Sequence, residues 1–467
     1  MMKQQLLAAF AALTLAATAN ANNVQVSNIS LSGQDVAAHF SLVNYNITWD
    51  NGWRTSTNEN NYDGAWIFVK YRKANTSEWR HATLNTTGNT EPGGATIQVT
   101  ADGKGAFMYR STNGMGTVNW TGAKIRWNYG ADNVNDNDSV EIRVFATEMV
   151  LVPTGTYYLG SGGSGNNEFR KGGTGSIAPY QVTSAAAITV GNTATNLYYN
   201  NSGSGGGDQA GPIPATFPNG YNGYWIMKYE ASQQQYTDFL NHLDATKATA
   251  NNPGLSGVHP NLTALQPERA MGISWKMSLA YADWAGMRPA TEMEYEKACR
   301  GVNIPPVASE YAWGNTTLSG LTGVSNLGTT NEAVSSPASA NCNYLNNYGA
   351  VVRCGIFAND TSDRSKAGAG YYGSMELTGN LYELTVSVGN ANGRGFTGLH
   401  GDGSLNGDGE ANVTNWPIVN GYSLRGGAVG TSFVANQLQV SDRTSGITTV
   451  PVTQVANYGI RLARTAE

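Results

Sequence analysis

The stretch that most restricts the fold is 373–385, GSMELTGNLYELT, in which Glu376 and Glu383 bracket a Gly-Asn pair. The residues between the two glutamates are apolar enough to be buried. A glycine-rich backbone can enter a core only when its carbonyl groups find partners, and Ca²⁺ binds about six to eight oxygens from carboxylates and main-chain carbonyls. The stretch therefore predicts a structural calcium loop, with side-chain oxygens from Glu376 and Glu383 and carbonyls from Gly379 and Leu381. The alternative is a turn between two strands whose glutamates face water.

The size of the chain predicts more than one domain, because it has 467 residues. Aromatic residues make up 10% of it, which is too many for a disordered chain. The 57 glycines and the low charged fraction, 13%, are typical of a loop-rich globular protein with short strands. A net charge of −5 gives no reason to expect nucleic acid or an anionic membrane surface as a partner.

Residues 1–21 have the pattern of a secretory signal peptide. Lys3 supplies the positive start, 6–17 is a short apolar run, and Ala19-Asn20-Ala21 is a small-x-small cleavage site. The apolar run is too short to span a bilayer, and no later segment is long and apolar enough to do so. We therefore expect a mature chain that begins near Asn22, has no membrane span, and is secreted or held at the cell surface.

Residues 22–146 predict an antiparallel β-sandwich. Short runs that alternate apolar and polar residues, such as 65–71 and 140–145, are separated by clusters of Asn, Gly, Asp and Ser. His39 and His81 are isolated, and we expect both on strand faces. Nothing in this domain indicates catalysis, so it is a spacer, a docking module or a carbohydrate-binding type of sandwich.

Residues 147–467 carry the helical signals. Ser232 and Gln235 have the spacing of a capping box that opens an amphipathic helix. A second helix is predicted from Ser274, its N-cap, to Gly286, which suits a left-handed C-terminal position. Thr291 and Glu294 form another capping box and open a third helix.

Several stretches resemble, in chain order, the formylglycine-generating enzyme (sulfatase-modifying factor) family. They are the opening hairpin at 148–161, the string RPATEMEYEKA at 288–298, the loop at 373–385, and Arg425-Gly426-Gly427 followed by Gly459-Ile460-Arg461. Relative to the family string, Ala290 is inserted after the proline. The resemblance implies the family's variant of the C-type lectin fold, with few helices and long loops. The fold class expected for the whole chain is therefore α+β, with the β-sandwich first.

The resemblance also carries metal sites. In the family the loop at 373–385 holds a calcium, and Asn341 matches a ligand of another calcium. The enzymes further use two cysteines just after Arg-Gly-Gly, which bind copper and oxidise a substrate cysteine. Here those positions fall at about Thr431 and at Ala435 or Asn436, and no cysteine follows Cys354. A thiolate pair is what holds Cu(I), so Ca²⁺ is expected, copper is not, and the family's oxidase chemistry lacks its residues.

Three cysteines remain to be placed. Cys342 and Cys354 flank a short loop and either pair in an oxidising compartment or stay as two buried thiols. Cys299 falls among apolar residues of the third predicted helix and is expected in the core.

Three functions are compatible with these features. The first is a non-catalytic secreted binding or surface protein that displays adaptable contact residues to an extracellular protein or glycan. The expected contact residues are Thr431, Ser432, Phe433, Asn436 and Gln437. The second is an enzyme of the family with altered chemistry. The third is an extracellular structural subunit that assembles with itself.

Overall fold

The structure, a computed structural model, describes residues 23–163, 165–201, 205–359, 362–430, 434–447 and 457–467. The predicted signal peptide lies outside this part of the chain, and so do Thr431, Ser432 and Phe433. Within the described ranges, no helix combines the length and the apolar character that crossing a bilayer requires.

Two antiparallel sheets form from the first third of the chain. Their strands are β1 (Gln25–Asp35), β2 (Phe40–Arg54), β3 (Asp63–Lys73), β4 (Arg80–His81), β5 (Ala95–Val99), β6 (Ala106–Arg110), β7 (Gly114–Trp127) and β8 (Val140–Val152). β1, β2 and β7 form one sheet, and the other five strands belong to a second. Apolar side chains from both sheets share one buried cluster, to which β2 contributes Tyr45, Ile47 and Trp49.

Strand β3 is buried on both faces. Because side chains alternate along a strand, Ile67 and Val69 enter the cluster shared with β2, whereas Trp66 and Phe68 enter the core of the C-terminal part. The indole of Trp66 donates to the carbonyl of Ala285 at 2.9 Å. The alternating pattern expected of a half-exposed strand is absent here because a second layer covers the sheet.

Strand β8 runs through the predicted domain boundary at 146/147. Its residues 140–150 pair with β3, and its residues 149–152 pair with a strand of the C-terminal part, Tyr224–Met227. The result is one eight-stranded sheet to which both parts of the chain contribute. The buried ammonium group of Lys228 lies 3.2 Å from the Asp63 carboxylate and 2.9 Å from that of Glu148, and it ties the two parts together from within.

The C-terminal part has many short strands and few helices. Its strands are β9 (Tyr157–Leu159), β10 (Arg170–Lys171), β11 (Tyr180–Val182), β12 (Leu197–Tyr198), β13 (Tyr224–Met227), β14 (Ser256–Val258), β15 (Asn261–Thr263), β16 (Arg288–Pro289), β17 (Gly323–Ser325), β18 (Ala333–Ser336), β19 (Tyr382–Val386), β20 (Tyr422–Arg425), β21 (Tyr458–Gly459) and β22 (Leu462–Thr465). Its helices are α1 (Gln233–Asn241), α2 (Ala245–Ala250), α3 (Trp275–Trp284), α4 (Glu292–Arg300) and α5 (Ala391–Arg394), with a 3₁₀ turn at Ala435–Leu438. The α+β class is confirmed.

The helix starts predicted from sequence are confirmed. Ser232 caps α1 and Thr291 caps α4, each in a reciprocal capping box with the third helical residue. The Ser274 hydroxyl accepts from the amide of Met277 at the start of α3. Gly286, just past the end of α3, has a φ of +67°, a conformation that favours glycine.

Helix α4 has charged side chains that are buried instead of solvated. Glu292, Glu294 and Glu296 are at most 2% exposed. Arg425 of β20 pairs with both Glu292 and Glu296, and Arg443 pairs with Glu292 at 2.7 Å. Removing one partner of a buried pair leaves an uncompensated charge, so this network fixes the strand that leads into the segment after Gly427.

Candidate functional site

The loop 373–385 has a backbone that ordinary side chains avoid. Glu376 has a φ of +52° and Asn380 a φ of +62°. Asparagine tolerates this left-handed region, whereas glutamate rarely adopts it. Non-glycine residues held in this way persist only where surrounding contacts enforce the conformation, often at ligand sites.

Glu376 is buried, with 2% of its surface exposed. One carboxylate oxygen accepts from the amide of Gly355 at 2.8 Å, and the other, Oε2, is buried without a partner. Burial raises the pKa of the Glu376 carboxyl from 4.5 to about 7, although Arg461 and the Gly355 amide act in the opposite direction. A glutamate facing water would show neither feature, so the simple-turn alternative is wrong for this residue.

Glu383, on β19, is buried to the same degree. Its Oε1 accepts from Nε of Arg461 at 2.7 Å, while its Oε2 has no partner. Burial raises the pKa of this carboxyl to about 7 despite the guanidinium. Arg461 also donates to the carbonyls of Met227 at 2.9 Å and Met375 at 2.6 Å, so its positive charge is held in a fixed place.

A third carboxylate, Glu230, completes the cluster, and sequence reasoning missed it. Its oxygens accept from the Leu381 amide at 2.9 Å and from the Asn380 side chain at 2.5 Å. Burial and the neighbouring Glu383 raise the pKa of the Glu230 carboxyl well above its ordinary value. No sequence pattern singled it out, because Glu230 lies past the end of β13 (Tyr224–Met227) and glutamate is rarely fully buried unless it is paired.

The buried carboxyls of Glu230, Glu376 and Glu383 determine whether a cation fits the loop. Three buried carboxyls lie around the guanidinium of Arg461, and two carboxylate oxygens lack partners among the described residues. Unsatisfied buried oxygens are what a hard cation would complete. The described residues contain no group of three or more His, Cys, Asp or Glu side chains poised to hold a metal, so a cation here would depend on Glu376 and Glu383 together with backbone carbonyls, such as those predicted at Gly379 and Leu381.

Asn341 is engaged within the protein. Its Oδ1 accepts from the Ser319 amide at 2.9 Å, and its Nδ2 donates to the carbonyls of Ser365 at 3.1 Å and Thr317 at 3.5 Å. These bonds join two loops and account for the burial of Asn341 without a metal.

The segment after Gly427 is described only in part. Asn436 is exposed on the 3₁₀ turn, and Gln437 is half-buried. The Oε1 of Gln437 accepts from the Tyr382 hydroxyl at 2.8 Å and from the Val434 amide at 3.3 Å. Of these two residues, Asn436 presents a side chain to solvent, whereas Gln437 braces the turn against β19.

The three cysteines are free and fully buried. The thiol of Cys342 donates to the carbonyl of Thr378 at 3.3 Å and that of Cys354 to the carbonyl of Glu230 at 3.4 Å. The pairing alternative is therefore not adopted. Burial raises the pKa of all three thiols, and a protonated, buried thiol is a poor nucleophile and metal ligand.

Comparison with protein families gives one match. Residues 138–466 match the family described as the sulfatase-modifying factor enzyme 1-like domain. Comparison with curated proteins gives no match. The matched range begins just before β8, the strand that is common to both parts of the chain.

Proposed function

Because the chain belongs to the sulfatase-modifying factor family, we propose that it uses the family scaffold as a secreted, non-catalytic binding protein. The observation that carries the proposal is the state of the thiols. The family oxidase needs a reactive cysteine pair after Arg425-Gly426-Gly427, yet no cysteine follows Cys354. The thiols that exist are buried and have raised pKa values. Secretion is supported by the pattern of residues 1–21.

The fixed base of the 3₁₀ turn at Ala435–Leu438 supports a role in display. Arg425 is locked to the glutamates of α4, and Tyr382 holds Gln437 in place. A rigid base next to an exposed polar side chain such as Asn436 suits a binding loop. The ligand would be an extracellular protein or a glycan, contacted by Asn436 and by the neighbouring Thr431, Ser432 and Phe433. The alternative partner is a second copy of the same chain.

We also propose a structural Ca²⁺ at the loop 373–385. The unpartnered oxygens of Glu376 and Glu383 support it, as does the left-handed backbone at Glu376. Bound Ca²⁺ would add positive charge beside three buried carboxyls whose pKa values are raised despite the guanidinium of Arg461. It would act on stability and loop position, and no chemical step depends on it.

The first test measures metal and turnover on the purified mature chain. We expect calcium and no copper by metal analysis, and no oxidation of a cysteine-containing peptide by mass spectrometry. Stoichiometric copper or turnover would refute the non-catalytic proposal and favour an enzyme with altered chemistry. Polymers in size-exclusion chromatography would instead favour a self-assembling subunit.

The second test concerns the binding segment. A protein and glycan array should give a saturable hit, and Asn436→Ala should weaken that hit about tenfold, the effect of one lost hydrogen bond. Asn119→Ala is the matched control, because Asn119 is equally exposed but lies on β7. Equal affinity of the two variants would place the ligand elsewhere.

A further inference from the structure

A cavity of about 350 Å³ lies where the N-terminal sheet meets helices α1 and α3. Its wall includes Trp79 and His81 from the turn into β4, His242 after α1, Trp284 at the end of α3, and Ser404 on a loop. None of the residues of the candidate site lines it. Its volume falls in the range of about 300–1,000 Å³ that small-molecule sites occupy.

Two histidines in this wall each have a fixed tautomer. Because a carbonyl only accepts, Nδ1 of His242 donates to the Asp238 carbonyl at 2.7 Å, and Nε2 of His81 donates to the Lys104 carbonyl at 2.5 Å. Burial lowers the pKa of both imidazoles, that of His242 to about 4. Each neutral ring therefore keeps one lone pair, at Nε2 of His242 and Nδ1 of His81, that can accept a hydrogen bond.

Two buried polar atoms in the wall of the cavity make no hydrogen bond to the described residues. The Nδ1 atom of His81 and the indole Nε1 of Trp284 are buried without partners among the described residues. Buried polar atoms nearly always find a partner, so these two atoms suit a bound group that donates to Nδ1 of His81 or accepts from Nε1 of Trp284. Gly403 packs closely against this imidazole, since a Cβ there would fall 2.2 Å from Nδ1 of His81, so a larger residue does not fit at this position.

The charged side chains of the wall cancel each other. Arg80 pairs with Glu78 at 2.6 Å, and Lys247 pairs with Asp244 at 3.1 Å. The remaining two charges, on Lys104 and Asp402, are of opposite sign. A site with balanced, internally paired charge does not select an anion or a cation, so it favours a neutral, polar ligand.

The wall also contains an aromatic surface. Trp79 is half-buried, and its ring centroid lies 4.9 Å from that of His242. The guanidinium of Arg72 lies 4.8 Å from the same indole and keeps it in place. An indole that is only partly covered offers an apolar contact next to the hydrogen-bonding groups.

We propose that this cleft binds a neutral sugar unit of a glycan. The C–H groups of the sugar ring contact the exposed part of Trp79, its hydroxyls donate to the lone pairs of His242 and His81, and one hydroxyl accepts from the indole of Trp284. The site is independent of the role proposed for the segment after Gly427, because neither set of residues includes the other.

The experiment uses the whole mature chain with a panel of neutral mono- and disaccharides: glucose, galactose, mannose, N-acetylglucosamine and their β-linked dimers. Saturation-transfer NMR and calorimetry measure binding. We expect at least one saturable ligand, bound about tenfold more weakly by His242→Ala, in line with one lost hydrogen bond. The control is His259→Ala, another half-buried histidine outside the cavity, which should bind as the unmodified chain does.

Two more variants keep the test decisive. Trp79→Ala should abolish the transfer to ring C–H protons. Ser404→Leu, on the exposed rim, should fill the cleft without touching the core, so it serves where a wall variant does not fold. Asn436→Ala should leave saccharide binding unchanged, which separates this site from the proposed function. No binding by the unmodified chain, binding of acidic saccharides alone, or full binding by Ser404→Leu would each overturn the proposal.

Discussion

The substitution Glu376→Gln gives the sharpest test of the buried carboxylate cluster. Glutamine has the size of glutamate but does not ionise, and its carbonyl can still accept from the Gly355 amide that now bonds Glu376 at 2.8 Å. The pKa of the Glu376 carboxyl rises from 4.5 to about 7 on folding. Each tenfold change in proton affinity is worth about 1.4 kcal/mol, so this difference amounts to about 3 kcal/mol.

The sign of the effect follows from which state binds the proton more tightly. The folded state holds the proton of Glu376 up to about pH 7, whereas the unfolded chain releases it near its ordinary pKa of about 4.5. The stability that this group contributes is therefore complete below about pH 4.5 and is lost as the pH rises to about 7. Without metal, the native chain should lose about 3 kcal/mol over this window from Glu376 alone.

Denaturant unfolding of the native chain and of Glu376→Gln, in chelator at several pH values from 5 to 8, measures this loss. The difference between the two proteins cancels the titrating groups that do not interact with Glu376, and the neighbouring carboxyls of Glu230 and Glu383 contribute to what remains. At pH 5 the variant should be the less stable, because its amide places two N–H groups where the protonated carboxyl has one O–H, and each unpaired buried donor costs about 1–3 kcal/mol. Between pH 5 and pH 8, the free energy of unfolding of the variant should rise by about 3 kcal/mol relative to that of the native chain.

Excess calcium should reverse the advantage that Glu376→Gln gains over the native chain at high pH. A ligand that binds only the native state stabilises it by about 2.7 kcal/mol at a hundred times its Kd, and Ca²⁺ requires the ionised carboxylate. At pH 8 the native chain should gain stability in excess calcium, and Glu376→Gln should gain much less. A stability difference that does not change with pH in chelator would refute the pKa argument, and equal stabilisation of both proteins by calcium would refute the metal site.

Three further outcomes are expected. Arg425→Met should lower the free energy of unfolding by about 3–5 kcal/mol, since it removes a buried guanidinium that pairs with both Glu292 and Glu296. Arg72→Met, which breaks an exposed pair with Glu141, should change it by less than about 1 kcal/mol, and denaturant titration compares the two variants. The three thiols should react with a thiol reagent in denaturant only, so fast labelling of the native protein would contradict their burial. A fragment of residues 147–467 should lack native near-ultraviolet dichroism, because the cut divides β8; a folded fragment would show that the shared sheet is dispensable.

Much of the scaffold could be predicted from the sequence because its signals are local. A capping box joins residues three positions apart, so Ser232–Gln235 and Thr291–Glu294 identify helix starts without knowledge of the fold. The motif strings identified the family over the range that the match covers. The loop 373–385 was predicted to hold a structural calcium through Glu376 and Glu383; both carboxyls are buried, and the calcium stays a prediction.

Other features depended on residues far apart in the chain. Glu230 reaches Asn380 across 150 positions, and no periodicity in either segment indicates the contact. The boundary predicted at 146/147 lay between the alternating runs of the sandwich and the hairpin at 148–161, but strand pairing carries β8 across it. Likewise, the isolated histidines His81 and His242 gave no functional signal until the packing of two layers brought them into one wall.

The sequence by itself determined the helix starts, the family scaffold and the missing thiols, because each is written in consecutive or closely spaced residue types. Only the tertiary structure decided which carboxylates share one guanidinium, which side chains keep unpaired hydrogen-bonding atoms, and how one sheet joins both parts. Those properties depend on burial and on distances between remote segments, and both arise only when the chain packs.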